Sequence, residues 1–264
     1  MEKSRSALFV QSLEKAVKVL EAFGRGGRYL GLSEIVALSG LDKAAAQRYV
    51  HTLVQIGYLE KSPKTGRFAL GKRCLDLSFH FLRTHPLVVA ATPVLLQLRK
   101  DSGERTNLSL YDETTLIYAI RLHGKREHLY FQTLIGRRMP TFCSSGGRIM
   151  LAQLPRDEMK AVIAKSDLTP MTSDTITEPE RVYAKIDEAR ERGYAMVVGE
   201  NTVGEITIAG AVVDADGRPI AAVHIASSTT KWVPDAYEQR FGPLVVEVAR
   251  SLSHSGSGAM RLAV

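Results

Sequence analysis

The sequence predicts an α+β protein of two domains, a small basic domain followed by a larger neutral one. Its 264 residues exceed one small module and suit two domains of roughly 100–200 residues. Residues 1–85 carry 14 Lys and Arg against 7 Asp and Glu, and the remainder carries 21 of each, so the whole net charge of +7 lies in the first third. Helical patterns fill that third. Strands in hairpins with helices at both ends fill the rest, which is typical of the α+β class.

The composition favours a globular, cytoplasmic chain. Hydrophobic residues make up 45% and charged residues 24%, which excludes a wholly disordered, collagen-like or disulfide-scaffold protein. The longest apolar stretch, Pro86 to Leu98, is shorter than the ~20 residues that cross a bilayer, and near the start only Ala7 to Val10 is apolar, too short for a signal peptide. Cys74 and Cys143 have no second ligand at metal spacing. We therefore expect no membrane contact and no metal site.

Residues 1–70 predict a winged helix-turn-helix. A first helix with apolar residues at helical spacing begins at Gln11 or Ser12 and stops at Gly24. Ser33 is a good N-cap for a short second helix, and Asp42 caps a third helix from Lys43 to about Ile56. The turn between them is Ser39-Gly40-Leu41, where glycine permits the left-handed conformation that ends a helix. Two short helices joined by such a turn are the helix-turn-helix signature.

The exposed side of the third helix and the following wing predict contacts with double-stranded DNA. Residues 57–60 and 67–70 read as the two strands of the wing, around a polar turn at 62–66. Arg or Lys can pair with guanine edges, Gln with adenine, and Ala with a thymine methyl, whereas cations on a wing suit phosphates. The candidate residues are Lys43, Ala44, Gln47, Arg48 and His51 on the helix, and Lys61, Lys64 and Arg67 on the wing. A merely basic surface, or a winged helix that contacts protein, remains open.

Residues 71–85 predict a linker helix with apolar groups on more than one side. These groups, which must be buried against something, are Leu75, Leu77, Phe79, Phe81 and Leu82. A partner chain would bury them, and a two-fold homodimer would present paired recognition helices to a palindromic operator. Packing on the chain's own second domain is the alternative. His85-Pro86 ends the helix, because the residue before proline avoids the helical region.

Residues 86–254 predict an antiparallel sheet flanked by helices. Asp214-Ala215-Asp216-Gly217 is a strong hairpin signal between the last two strands. The last residues, 255–264, predict a flexible tail. We expect helices at 87–102, 148–153, 155–164, 178–192 and 234–253, and strands at Thr106–Tyr111, Thr115–Leu122, His128–Leu134, 194–198, 206–214 and 219–227.

The order and spacing of several short motifs make the whole chain resemble the IclR family of bacterial transcription regulators, named for the isocitrate lyase regulator. They include Gly57-Tyr58-Leu59, Gly136-Arg137-Arg138-Met139-Pro140, Ser145-Gly146-Gly147-Arg148, Gly193-Tyr194-Ala195 and Asp216-Gly217-Arg218-Pro219-Ile220. The resemblance implies a winged-helix DNA reader, a linker helix that mediates a homodimer or a dimer of dimers, and a GAF-like effector domain that binds a small carboxylated metabolite. Arg148, where many members carry lysine, and the preceding serines resemble the branch that regulates aromatic-acid catabolism.

The effector pocket can also be approached from the residues. Ser144, Ser145 and Gly146 lie where a loop turns into a helix, and free backbone N–H groups there favour an anion, although ordinary serine capping is the alternative. The resemblance places the effector at this segment. Thr207 and His224 stand where glyoxylate-type members carry small polar residues, so we expect an aromatic effector, or one bulkier than glyoxylate. The candidate set is Met139, Phe142, Ser144, Ser145, Gly146, Thr207 and His224; His224 contacts the ligand or is a satisfied core residue.

The preferred function is a DNA-binding regulator whose operator binding or activity responds to this effector. The alternative is an enzyme that acts on a small organic acid through the second domain, with Cys143, Ser144 or Ser145 as nucleophile and His224 as a distant base. There is no G-x-S-x-G elbow, and Gly24-Arg25-Gly26-Gly27 lacks the strand and spacing of a dinucleotide site. We therefore expect no catalytic residue and no cofactor.

Overall fold

The computed structural model describes residue 6, residues 8–124 and residues 135–260, with residues 255–260 described by their backbone alone. The chain divides into two compact units between Phe81 and Leu82. Each unit has its own core, and each is described by itself.

The first unit is a winged helix-turn-helix, as predicted. Val19, Ile35, Val50 and Leu59, one from each successive element, meet in its core and are almost fully buried. The two short strands pair antiparallel and form the wing. The elements are α1 (Gln11–Arg25), α2 (Leu32–Ser39), α3 (Lys43–Gln55), β1 (Leu59–Lys61), β2 (Phe68–Leu70) and α4 (Arg73–Thr84), of which α4 continues past the division between the units.

The turn between α2 and α3 has the predicted geometry. Gly40 adopts φ = +68°, a left-handed conformation that costs glycine little, and Asp42 caps α3 by accepting a hydrogen bond from the Ala45 N–H at 2.7 Å. The predicted cap of α2 is wrong. That helix begins at Leu32, so Ser33 lies inside it, and the Glu34 carboxylate reaches back to accept from the Gly31 N–H at 2.7 Å. A glutamate in the first turn thus replaces the serine cap.

The second unit contains one six-stranded sheet in the order β5-β4-β3-β8-β7-β6, in which every neighbouring pair is antiparallel. Its elements in chain order are α5 (Pro86–Ser102), β3 (Arg105–Asp112), β4 (Thr115–Leu122), β5 (Arg138–Pro140), α6 (Ser145–Leu151), α7 (Arg156–Lys165), α8 (Pro179–Arg192), β6 (Ala195–Val198), β7 (Glu205–Val213), β8 (Pro219–Ser228) and α9 (Pro234–Met260).

The two faces of this sheet differ in side-chain size. Because side chains alternate across a strand, Leu108 and Val223 lie on one face and pack in a core that also contains residues of α5 and α9. The other face carries smaller and more polar groups: Asn107 lies beside His224, which lies beside Ala209. The helix α6 packs on this second face. The contrast leaves room on the second face for a cavity.

Two boundaries differ by three residues or more from the sequence-based expectation. The helix α6 begins at Ser145, three residues before the predicted start at Arg148, because Ser144 caps it: the Ser144 hydroxyl accepts a hydrogen bond from the Gly147 N–H at 3.2 Å. The helix α9 continues to Met260, so residues 255–260 belong to it and not to the tail expected from residue 255. Each residue added to an existing helix gains one backbone hydrogen bond and avoids the unfavourable step of nucleating a new helix.

The predicted strand His128–Leu134 lies outside the described residues. The strand that pairs with the outer edge of β4 is β5, which was not predicted. Among the described residues, no single helix is long and apolar enough to cross a membrane; only α4 and α5 taken together across their break reach that length and composition.

Candidate functional site

The first candidate site is the exposed side of α3. Ala46, Val50 and Leu53 form the buried stripe of this helix, which turns the opposite side to solvent. That side carries all five predicted residues, and each of them is exposed: Lys43, Ala44, Gln47, Arg48 and His51. The helix therefore presents two cations, an amide, an imidazole and a methyl group that can enter a major groove.

The wing places its cations differently from the expectation. Lys61 and Lys64 are exposed, as a phosphate contact requires. Arg67 instead donates to the Tyr29 carbonyl at 2.8 Å and to the Glu34 carboxylate at 2.6 Å. The pKa of Glu34 is lowered by its hydrogen bond from the Gly31 backbone and by Arg67. Arg67 thus braces the wing against the start of α2 while its side chain remains 42% exposed, and phosphate contacts by Arg67, Lys61 and Lys64 stay predictions.

The helix α4 exposes an apolar surface. None of its described residues is buried, and Leu75 and Leu77 are 69% and 59% exposed. Phe79 and Phe81 are also more than half exposed. Leu82, the first residue of the second unit, is partly buried against that unit's core. The exposed Leu75 and Leu77 side chains are therefore the part of this apolar surface that is left to be explained.

The second candidate site is a cavity of about 200 Å³ on the small-residue face of the sheet. Four of the seven predicted effector residues line it: Met139, Ser144, Ser145 and Thr207. Asn201 and Thr202, from the loop after β6, line another part. The remaining lining residues are Arg105, Tyr118, Arg121, Arg137 and Glu205. This volume suits a small metabolite, since one water occupies about 30 Å³ in the liquid.

Three guanidinium groups give this cavity a cationic wall. Arg105, which is 4% exposed, is paired with Glu205. The Arg121 guanidinium lies 4.1 Å from the centroid of the Tyr118 ring, and its Nε is buried without a hydrogen-bond partner among the described residues. Burial lowers the pKa of Arg121 and raises the pKa of Tyr118. A half-buried guanidinium whose buried Nε has an unused donor favours an anionic guest, because an unsatisfied buried donor is costly and a carboxylate forms strong hydrogen bonds with guanidinium groups.

The three other predicted residues are not among those that line the cavity. Phe142 is fully buried in the core with α6, and its carbonyl accepts from Arg148 Nε at 2.9 Å. His224 is 1% exposed and shares a hydrogen bond of 2.8 Å with the Ser109 hydroxyl. Gly146 packs on it, since a Cβ at Gly146 would come 2.2 Å from His224 Cε1. The structure thus makes Phe142 a core residue and places Gly146 and His224 in contact behind the wall.

The buried position of His224 fixes its charge. Burial, aided by the nearby Arg121 and Arg105 guanidiniums, lowers the pKa of His224 to about 3. The ring is therefore neutral at physiological pH and adds no positive charge to the cavity. Its hydrogen bond with Ser109 is the satisfied arrangement that the sequence left open as an alternative to ligand contact.

Ser144 and Cys143 do not form a catalytic pair with His224. Ser144 is the N-cap of α6: its hydroxyl accepts from the Gly147 N–H at 3.2 Å and donates to the Pro140 carbonyl at 2.6 Å. Burial raises the pKa of the Cys143 thiol to about 12, which keeps it protonated and a poor nucleophile. The Cys143 thiol hydrogen-bonds to Asn201 instead.

A buried ion pair supports the wall from behind. Arg148 donates through both Nη atoms to the two carboxylate oxygens of Glu200, at 2.6 and 2.7 Å. Glu200 also accepts from the Ile176 N–H at 3.0 Å. Because Arg148 belongs to α6 and Glu200 precedes Asn201, the pair holds two sides of the cavity together.

The three arginines of the cationic wall were not predicted, although the sequence contains a signal for the face on which two of them lie. Arg105, Asn107 and Ser109 alternate along β3 and share one face, and Arg121 lies opposite Asn107 on β4. Polar side chains at every second position of a central strand indicate a face that is not filled by hydrophobic packing.

Comparison with known proteins identifies both units. Residues 12–63 match the family model described as the IclR helix-turn-helix domain, and residues 79–254 match the model described as the bacterial transcriptional regulator IclR C-terminal domain. These models describe transcriptional regulators and not enzymes.

Similar proteins extend along nearly the whole chain. The chain is 28% identical over 246 residues to the Pca regulon regulatory protein of Pseudomonas putida, which covers 93% of this chain and 84% of that protein. It is also 28% identical over 255 residues to the p-hydroxybenzoate hydroxylase transcriptional activator of Acinetobacter baylyi, covering 95% and 93%. A crystal structure of an IclR homolog complexed with 4-hydroxybenzoate, from Microbacterium hydrocarbonoxydans, superposes with a TM-score of 0.71 at 23% identity and covers 95% of this chain and 99% of that one.

Proposed function

The chain belongs to the IclR family of bacterial transcriptional regulators, and from this premise we propose that a small carboxylated metabolite, aromatic or bulkier than glyoxylate, modulates its binding to a palindromic operator. The single observation that carries the sensing part is the cavity of about 200 Å³ walled by Arg105, Arg121 and Arg137. Guanidinium groups recognise carboxylates through charge-assisted hydrogen bonds. We expect the protein to work in the cytoplasm, where bacterial DNA lies.

The relatives support an aromatic or similarly bulky guest. Two of them are, by name, regulators of the Pca regulon and of p-hydroxybenzoate hydroxylase, and the solved homolog holds 4-hydroxybenzoate. In this chain Tyr118 and Met139 supply aromatic and thioether surface beside the arginines. We expect the protein to have two arrangements that differ in their affinity for the operator. An effector can change operator binding only as far as its own affinities for these two arrangements differ.

Reading of DNA is tested with the double-stranded fragment upstream of the chain's own gene. We expect a sequence-specific, salt-sensitive complex at nanomolar protein. Arg48→Ala should weaken that complex by about 1–3 kcal/mol, which is roughly 5- to 150-fold in Kd, if Arg48 contacts a base edge. Arg156→Ala is the control, because it removes the same charge from an exposed position in the second unit. Equal losses in the two variants would remove Arg48 from the interface.

We further propose that α4 joins two copies of the chain in a homodimer, or in a dimer of dimers. The exposed Leu75 and Leu77 side chains are the surface that a partner helix would bury. Sedimentation velocity should show a dimer or tetramer, and Leu77→Glu should shift it to smaller species. Ser78→Glu adds the same charge at a neighbouring exposed residue and should not. A monomeric parent protein would contradict the proposal.

Sensing is tested by thermal shift with a panel of carboxylic acids. A ligand that binds the native state at 100 times its Kd adds about 2.7 kcal/mol of apparent stability. An acid that raises the melting temperature should also change the operator Kd. If no acid in the panel does either, the sensing part of the proposal fails while operator binding stands on its own test.

A further inference from the structure

The charge of the cavity wall restricts the class of effector further than its size does. Three guanidiniums line the cavity, and Glu205 is the one carboxylate among the described lining residues. Glu205 is already paired with Arg105. Among the described residues no carboxylate lies within salt-bridge distance of Arg121 or Arg137. The described residues of the wall therefore carry a net charge of +2.

The uncompensated charge is concentrated in one part of the cavity. Arg121 stacks on Tyr118, and the Tyr118 N–H donates to the carbonyl of Arg137 at 3.1 Å, which places both arginines beside the same residue of β4. Burial raises the pKa of the Tyr118 phenol, and the guanidiniums of Arg121, Arg105 and Arg137 oppose this rise. Like charges that line the same cavity repel one another. A guest with a single negative charge leaves one of the two excess cations uncompensated.

Unused hydrogen-bonding groups lie on the same face. Arg121 Nε is buried without a partner among the described residues, and so is Oδ1 of Asn107, which is 2% exposed and is the cross-strand neighbour of Arg121. Buried polar atoms in folded proteins are nearly always satisfied by protein, water or ligand. The orphaned guanidinium donor indicates that an acceptor is to be bound here.

From this arrangement we infer that the effector is a compact dicarboxylate, whose two negative charges match the two excess guanidiniums. The inference rests on the proposed sensing function and specifies the charge of the guest. Arg105 with Glu205 forms a neutral part of the wall, and Arg121 and Arg137 receive the carboxylates. The neutral His224 behind the wall adds no charge that a third anionic group would offset.

Pairs of acids with the same skeleton and different charge test this directly. Titration calorimetry of the full chain at fixed ionic strength would compare adipate with hexanoate, and benzene-1,4-dicarboxylate with benzoate. In at least one pair we expect the diacid to bind ten times more tightly or better. Inorganic phosphate at the same concentration, a dianion without a carbon skeleton, should bind more weakly than that diacid.

Variants of the wall should remove the preference for charge. Arg121→Gln should bring the diacid and the monoacid within about threefold of each other, mainly by weakening the diacid. Arg137→Gln, at an exposed residue where folding is not at stake, should act in the same direction. Arg156→Gln, outside the cavity, should keep the full preference.

The outcomes separate the two proposals. Monoacids that bind as tightly as their diacids, or phosphate that binds more tightly than both, would overturn the dicarboxylate while leaving a cavity that senses anions. A preference that survives in both Arg121→Gln and Arg137→Gln would overturn the assignment of the charges. If neither class of acid binds, the sensing function fails together with the inference.

Discussion

The buried pair of Arg148 and Glu200 gives the most quantitative prediction. Glu200→Ala removes the carboxylate and leaves the Arg148 guanidinium, whose side chain is 2% exposed, without an anion. Breaking a buried ion pair on one side costs about 3–5 kcal/mol, because the remaining charge stays desolvated. For a domain of this size, about 2–4 °C is lost per kcal/mol, so we expect the melting temperature of the second unit to fall by roughly 6–20 °C.

The assay can follow this unit alone. Trp232 is the only tryptophan of the chain, belongs to the second unit and packs on Phe241 with ring centroids 5.1 Å apart, so its fluorescence reports the unfolding of that unit. Glu158→Ala is the matched control, because Glu158 pairs with Arg218 at 2.6 Å but at an exposed position. An exposed pair contributes about 0–1 kcal/mol.

A second variant separates the pair from its surroundings. Replacing both partners, Arg148→Met with Glu200→Leu, removes the two charges together and should restore most of the lost stability. A loss below 1 kcal/mol in Glu200→Ala, or a loss equal to that in Glu158→Ala, would refute the reasoning that the pair is desolvated.

Three further predictions concern single groups. Arg67→Ala should lower the free energy of unfolding of the first unit, measured by calorimetry, by about 1 kcal/mol, since the hydrogen bonds to Tyr29 and Glu34 are lost. Lys64→Ala should instead lower the salt-dependent affinity for DNA. Equal stability of the two variants would contradict a role of Arg67 in holding the wing. A thiol reagent at pH 8 should modify Cys74 well before Cys143, whose pKa of about 12 keeps it protonated; equal rates would contradict its burial. The pKa of His224 is lowered in the folded state, so its contribution to stability is present above its unfolded pKa of about 6.5 and is lost as the pH falls. Between pH 6.5 and 5 the free energy of unfolding of the parent should fall by about 2 kcal/mol more than that of His224→Gln. Parallel pH profiles of the two proteins would contradict the neutral buried ring.

The first unit was largely predictable because its signals are local. Gly40 and Asp42 each act within three residues, so the turn and the cap of α3 follow from the sequence alone. Ser33 misled because Glu34, an equally local competitor, caps α2 at Gly31. The ion pair between Arg67 and Glu34 could not be predicted, since the two residues are 33 positions apart in the sequence.

Four of the residues that line the cavity were among those predicted from the sequence, but the charge of its wall was not predicted. Ser144, Ser145 and Thr207 were found through the resemblance, whereas the arginines that give the wall its charge are 16 residues apart in sequence and meet only through strand pairing. The register that brings Asn107 between Arg121 and His224 is a property of three strands together. The alternation of polar residues along β3 is a local pattern, but nothing local indicates which residues of the other strands will lie beside it.

The difference between the two faces of the sheet has a consequence for how substitutions can change the cavity. Bulky side chains such as Leu108 and Val223 fill one face of the sheet, whereas Thr207 and Ala222 lie on the face that carries the cavity. Exchanging one short residue there reshapes the chamber without disturbing the opposite layer, because neighbouring positions along a strand point in opposite directions. Ligand specificity can thus change through residues on one face of the strands while the packing on the opposite face is retained.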